Sequence, residues 1–119
     1  MVSVVDFTER EVEFLKGQRL GRLGTVSSRG QPHVVPVAYE FDGEFIYFGG
    51  YNLAKSLKFR NIQENPKVAF VVDDLVSIKP WNPRGVEIRG VAETVQRDTD
   101  LNVRITPVEK VSWGRDLHQ

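Results

Sequence analysis

Residues 49–60, Gly-Gly-Tyr-Asn-Leu-Ala-Lys-Ser-Leu-Lys-Phe-Arg, hold the densest chemistry of the chain. Two glycines end a predicted strand and a basic helical segment follows. Asn52 is a good N-cap for it, because its side-chain oxygen can accept a bond from a first-turn N–H. At about 100° per residue, Lys55 and Lys58 fall on one side, one turn apart. Unpaired N–H groups at a helix start, a pliant Gly-Gly entrance and two ammonium groups together suit a phosphate. The plainer alternative is a solvated basic face on a surface helix.

Little else in the sequence can do chemistry. His33 and His118 are the only histidines and there is no cysteine, which excludes a thiol nucleophile, a disulfide framework and a histidine-rich metal centre. A serine triad would depend on His33, with no nucleophile elbow in sight, and a single histidine on a strand is more often structural. Neither a Walker loop nor Gly-x-Gly-x-x-Gly occurs. Asp73-Asp74 has the form of a turn that breaks a strand, in preference to a cation site. With so few acid–base groups, an enzymatic role requires a bound cofactor that carries the chemistry.

The elements around these residues are mostly strands. Thr8-Glu-Arg-Glu11 has the capping-box form and predicts a helix over 8–17 that covers an open end of the sheet. Segment 19–27 reads as a strand weakened by Gly21 and Gly24. Segment 32–41 alternates, with His33, Val35, Val37, Tyr39 and Phe41 on one face, and Asp42-Gly43 predicts a two-residue hairpin into 44–48. Pro36 cannot donate to a ladder, so it belongs at an edge, at a bulge or beside something other than a strand. The basic helix, with Leu53, Ala54, Leu57 and Ile62 on its apolar side, ends at Pro66. Strands follow at 67–76, broken at Asp73-Asp74, and at 84–96. One or two short strands then lie on either side of Pro107. Five to seven antiparallel strands with one interrupting helix predict a small closed barrel, since closure removes exposed edges.

A length of 119 residues fits a single domain, 1–119. Sixteen basic and sixteen acidic residues cancel, so no global field favours nucleic acid or an anionic membrane. No apolar stretch approaches the ~20 residues of a membrane span, and the N-terminus lacks a signal-peptide pattern. The expectation is a cytoplasmic protein with no nucleic-acid or membrane partner.

Taken in order, the capping helix, Gly-Arg-Leu-Gly-Thr-Val, Pro-His-Val-Val-Pro-Val, the Asp-Gly hairpin and Lys-x-x-Lys-x-x-Asn-Ile-x-x-Asn-Pro-x-Val-Ala resemble a known family. It is that of the split β-barrel, FMN-binding-like proteins related to pyridoxamine 5'-phosphate oxidase, which bind flavin or deazaflavin. The resemblance runs from about residue 8 to residue 95. The tail Arg104-Ile-Thr-Pro107…Ser112-Trp-Gly114 is most similar to the branch that uses the deazaflavin F420.

The resemblance implies a mainly β fold and a homodimer with the cofactor between two barrels. Lys55 and Lys58 match the basic positions that hold the cofactor phosphate. Asn61 matches the motif asparagine, as a structural tie in preference to a ligand. Val35, Pro36 and Val37 match the strand along the tricyclic ring, and Phe48, Gly49 and Gly50 the strand end beneath the ring and ribityl chain. Trp81 matches an aromatic that reaches the site from the partner chain; the other reading is a loop aromatic that plugs the barrel. Lys55 stands where many relatives have arginine, which loses the bidentate fork. The stretch from Gln96 to Leu101 is also shorter than in relatives, which alters the substrate pocket.

The implied activity is that of an F420-dependent oxidoreductase passing hydride from reduced F420 to a small electron-poor organic acceptor. FMN is the alternative cofactor, and a non-catalytic flavin, F420 or haem carrier the alternative role. Arg60, Arg84 and Arg89 are candidates to meet the anionic tail of F420. The basic C-terminal substrate motif of a true pyridoxamine 5'-phosphate oxidase is missing.

Overall fold

The structure, a computed structural model that describes residues 5–117, is one antiparallel sheet curled so that its two outer strands are almost continuous in sequence. The strands are β1 (Leu20–Val26), β2 (Pro32–Ala38), β3 (Glu40–Phe41), β4 (Ile46–Phe48), β5 (Lys67–Leu75), β6 (Pro83–Arg97) and β7 (Asp100–Trp113). Their order is β2-β1-β5-β6-β7-β4-β3. Only Tyr39 separates β2 from β3, so one bent segment supplies both ends of the sheet. This is the mainly β, split-barrel architecture expected from the sequence, but the closure expected with it is absent: no ladder joins β2 to β3, so both remain edges. Among the described residues no helix is long and apolar enough to cross a membrane.

Side chains alternate across each strand because successive Cβ atoms point to opposite faces. Leu23, Val37, Phe70, Val72, Val86, Ile88, Val103 and Ile105 thereby line one interior. Phe70 is fully buried, and burying such a side chain contributes about 1.5–3 kcal/mol. Its ring occupies the space that a side chain at Gly21 would need, since a Cβ there would lie 2.1 Å from the ring. The weakness expected of β1 from its glycines is therefore offset by a close approach they permit.

Helix α1 (Glu9–Gly17) begins as predicted, with a complete capping box between Thr8 and Glu11. Glu11 is buried and also accepts a bond from the Lys110 ammonium on β7. The helix covers an end of the sheet through Phe14 and Leu15. The Tyr39 hydroxyl donates to the Leu15 carbonyl, so the bend between β2 and β3 is tied to α1. Burial pushes the Tyr39 phenol far above its ordinary range and keeps it a neutral donor.

The structure corrects several local expectations. The two-residue turn after β3 falls on Gly43-Glu44, one residue later than expected: Asp42 N–H donates to the Phe45 carbonyl, and the Asp42 carboxylate accepts bonds from Glu44 N–H and Phe45 N–H. Asp73-Asp74 does not break a strand. Both residues lie within β5, paired opposite Gly85 and Arg84, and their charges are met by Arg22 and Arg84. The residues flanking Pro107 form one strand, β7. Gly90 pairs with Pro107 and Arg89 with Glu109, so Val108 is an extra residue, a bulge that accommodates the proline.

The helix expected from Asn52 onward is split in two. Leu53–Lys55 is a single 3-10 turn, Ser56 is extended, and α2 runs Leu57–Glu64. Asn52 has a left-handed backbone (φ 59°) and its side chain caps nothing. Ser56 is the cap, accepting a bond from Phe59 N–H. Burial explains the break: Leu53 and Ile62 are buried, whereas Ala54 and Leu57 are exposed, so the expected apolar side does not face the core as one stripe.

Candidate functional site

β2 closes one end of the sheet order, so its far side pairs with no strand. Pro36 sits on it opposite Arg22, at the edge position its missing N–H requires. Of the predicted ring-strand residues, Pro36 is exposed, Val35 half-buried and Val37 buried. Phe48 is also in the core, so only its backbone is open to a ligand. Gly49 and Gly50 follow directly, with Gly50 at φ +126°. The Gly50 carbonyl accepts from Leu53 N–H, which turns the chain toward α2.

The basic segment lies past that turn. Lys55 ends the 3-10 turn and Lys58 is the second residue of α2, so the two do not share one helix face as the sequence suggested. Neither lysine has an ion-pair partner among the described residues, and no carboxylate occurs from Phe45 to Gln63. The N–H groups of Leu57 and Lys58 have no carbonyl one turn back within α2. Two ammonium groups and two helix-start N–H groups form a donor set that fits a phosphate.

Asn61 does not face this opening. It is 1% exposed, and its amide donates to the Thr25 hydroxyl across 3.0 Å, tying α2 to β1. Thr25 is the cross-strand partner of His33. The Asn61 Oδ1 and His33 Nδ1 atoms are buried and unpartnered among the described residues. Burial and the bond to Thr25 fit the role of a structural tie for Asn61, and place His33 on the inner face beside Thr25. His118 lies outside the described residues.

Trp81 is 66% exposed in the loop between β5 and β6 and plugs nothing. Arg84 is held by Asp74 and Asp116, and Arg89 by Glu87 and Glu109, so neither is free to meet an anionic tail. Arg60 remains unpaired among the described residues. No cluster of histidine, aspartate and glutamate able to hold a metal is present among them either. Sequence reasoning missed Ser56, whose serine three residues before Phe59 was a cap signal masked by Asn52. It also missed Asn102, which packs against Gly49 from a strand far away in sequence.

A cleft of about 770 Å³ opens between the turn 49–54 and the β6–β7 turn, lined by Glu40, Gly49, Tyr51, Leu53, Arg97 and Asn102 among others. A smaller hollow at Tyr39, Tyr47 and Phe48 shares Glu40, Gly49, Arg97 and Asn102 with it. The cleft therefore continues from the end of β2 to the basic segment's entrance.

With a split barrel, a proline-bearing edge strand and a basic helix start in place, comparison with known proteins is direct. Residues 7–113 match the family described as pyridoxamine 5'-phosphate oxidase, and the chain belongs to that family of oxidoreductases. It is similar to a 5a,11a-dehydrotetracycline/5a,11a-dehydrooxytetracycline reductase of Streptomyces rimosus, 40% identical over 91% of this chain and 83% of that one. Among solved structures, a conserved hypothetical protein from Mycobacterium tuberculosis superposes with a TM-score of 0.76 at 26% identity, covering 100% of this chain and 94% of that one. A structure described as an F420 reductase gives 0.69 at 26% identity over 83% and 94%.

Proposed function

We propose that this protein is a reductase that uses reduced F420 to reduce a small electron-poor organic acceptor. The observation that carries this reading is the pair of uncompensated ammonium groups, Lys55 and Lys58, at the open start of α2. Its support is the likeness to a reductase and to an F420 reductase. When bound, F420 supplies a hydride from its deazaflavin ring. Lys55, Lys58 and the N–H groups of Leu57 and Lys58 hold its phosphate. The outer edge of β2 at Val35, Pro36 and Val37 would hold the ring, together with the backbone of Phe48, Gly49 and Gly50. The proton that completes the reduction comes from solvent.

The cofactor sits between two copies of the chain. Exposed apolar residues support that interface: Val34 on β2 is 68% exposed, and Ile78 and Trp81 crown the β5–β6 loop. In the dimer Trp81 reaches the partner's site. The test is a fluorescence titration of the apoprotein with F420 and, separately, with FMN. Micromolar F420 binding with weak FMN binding is expected. Tight FMN binding alone would move the protein to flavin chemistry, and binding of neither would remove the reductase reading.

A further inference from the structure

The two ends of the proposed cofactor site belong to different elements, the phosphate end to the start of α2 and the ring end to the edge of β2. Chain order does not fix the span between them, since a hairpin and a 3-10 turn intervene. Nor can α2 hold its own place. It has eight residues, fewer than a helix needs to be stable in isolation. Its first turn contains no carboxylate, and Lys58 and Arg60 put positive charge near its start, the unfavourable sign for a helix N-terminus. Ile62 packs it on the core, but apolar contact alone tolerates sliding and rotation.

Two directional bonds remove that freedom. The Asn61 amide donates to the Thr25 hydroxyl of β1 across 3.0 Å, with both residues buried. One turn on, the Glu64 carboxylate accepts from Ser28 N–H across 3.2 Å, in the turn that leads from β1 to β2. Sites three residues apart on α2 thus meet sites three residues apart on the hairpin. Together they fix the rotation of the helix and its place along β1. The whole length of β2 is paired with β1, with Pro36 opposite Arg22. A connected path therefore runs from Lys58, one turn before Asn61, through Thr25 to Val35 and Pro36.

Stability alone does not account for the buried bond. Asn61 Oδ1 is buried without a partner among the described residues, and such an atom costs free energy. An apolar pair of similar shape at Asn61 and Thr25 would pack with little or no loss. What the amide adds is direction, because a buried polar contact specifies one arrangement where apolar contacts allow several.

We infer that Asn61 and Thr25 are positioning residues that set the span between the phosphate and ring ends of the cofactor groove, so that one molecule meets both ends at once. The inference rests on the reading of Lys55, Lys58 and β2 as the cofactor site. A preset span lets the second end bind without a further loss of ordering entropy.

The test compares F420 with the same deazaflavin and ribityl chain lacking the phosphate, each titrated into the full-length protein by fluorescence. The double variant Thr25→Val, Asn61→Leu replaces both polar partners by apolar ones. Its melting temperature is expected to match wild type, its F420 affinity to fall about tenfold, and its affinity for the phosphate-free molecule to stay unchanged. Thr25→Ser, which keeps the hydroxyl, should keep wild-type F420 affinity. Unchanged F420 affinity in the double variant, or equal losses for the two ligands, would overturn the inference. Hydrogen exchange of the empty wild-type protein depends on neither a variant nor a cofactor. The amides of residues 60–64 should be protected within about tenfold of those of β1, because α2 opens only with the hairpin. Opening of α2 by itself would overturn the positioning role. Linked protection with no F420 binding in wild type would instead overturn the reductase reading and leave α2 and the hairpin as one unit.

Discussion

Lys55 and Lys58 are the residues at which the proposed cofactor site is most directly tested. Both are free of partners among the described residues, so removing them costs the apoprotein little. The double variant Lys55→Ala, Lys58→Ala is expected to abolish F420 binding in the fluorescence titration while its melting temperature stays within a degree or two of wild type. Unaltered affinity would remove these residues from the site. Glu11 behaves in the opposite way, as a residue of stability alone. Burial raises its carboxyl, but the bonds from Lys110, Thr8 and Ser112 outweigh that and hold it below the ordinary 4.5. A carboxyl lowered in the fold stabilises above its unfolded value, and that stability is lost as pH falls through the folded value. Glu11→Gln should destabilise by about 1–3 kcal/mol at pH 7, the cost of a poorly matched buried group. It should also flatten the fall in melting temperature below about pH 4.5. The run of cations was legible in the sequence, because charge type needs no tertiary knowledge; the shared helix face expected of Lys55 and Lys58 was wrong, since the helix breaks at Ser56. The Glu11–Lys110 contact was not, since 99 residues separate its partners.

At the scale of elements, Asn52 and Ser56 both read as N-caps four residues apart, and the sequence alone favours the wrong one. The backbone chooses Ser56 because Leu53 and Ile62 are both buried, and an unbroken helix from Asn52 would present its apolar side differently. Ser56→Ala is therefore expected to lower stability by about 1 kcal/mol in chemical denaturation, the usual worth of such a cap. Asn52→Gly should be nearly neutral, since glycine accepts a positive φ. A larger loss at Asn52 than at Ser56 would reverse the assignment. Alternation was legible from His33 to Phe41, but the break at Tyr39, which sends β2 to β1 and leaves only Glu40–Phe41 to pair with β4, was not. The unbroken course of β5 was not, because Asp73 and Asp74 look like a turn until Arg22 and Arg84 are seen beside them. The continuity of β7 through Pro107 depends likewise on a bulge that only the pairing with β6 reveals.

For the whole molecule, the barrel was legible as a class, but the closure inferred with it was wrong: the sheet keeps two free ends. Nothing local says that β2 and β3 are the two ends of one sheet; that follows from β1 pairing with β5 and β4 with β7. The proposed dimer belongs to this scale as well. Sedimentation velocity is expected to show a species of twice the chain mass, and Trp81→Ala with Ile78→Ser should shift it toward the monomer. A chain that sediments as a monomer throughout would remove the interface. The unpaired side of β2 has a further bearing, on how the chain survives in a crowded cell before any ligand arrives. An open strand edge invites another polypeptide to add to it. Here Pro32 and Pro36 interrupt the row of donors, so an incoming strand finds no continuous ladder. Solubility of the empty protein thus rests on these two prolines together. Pro32→Val with Pro36→Val is expected to raise light scattering of the empty protein on standing, and unchanged scattering would show that the edge is guarded by something else.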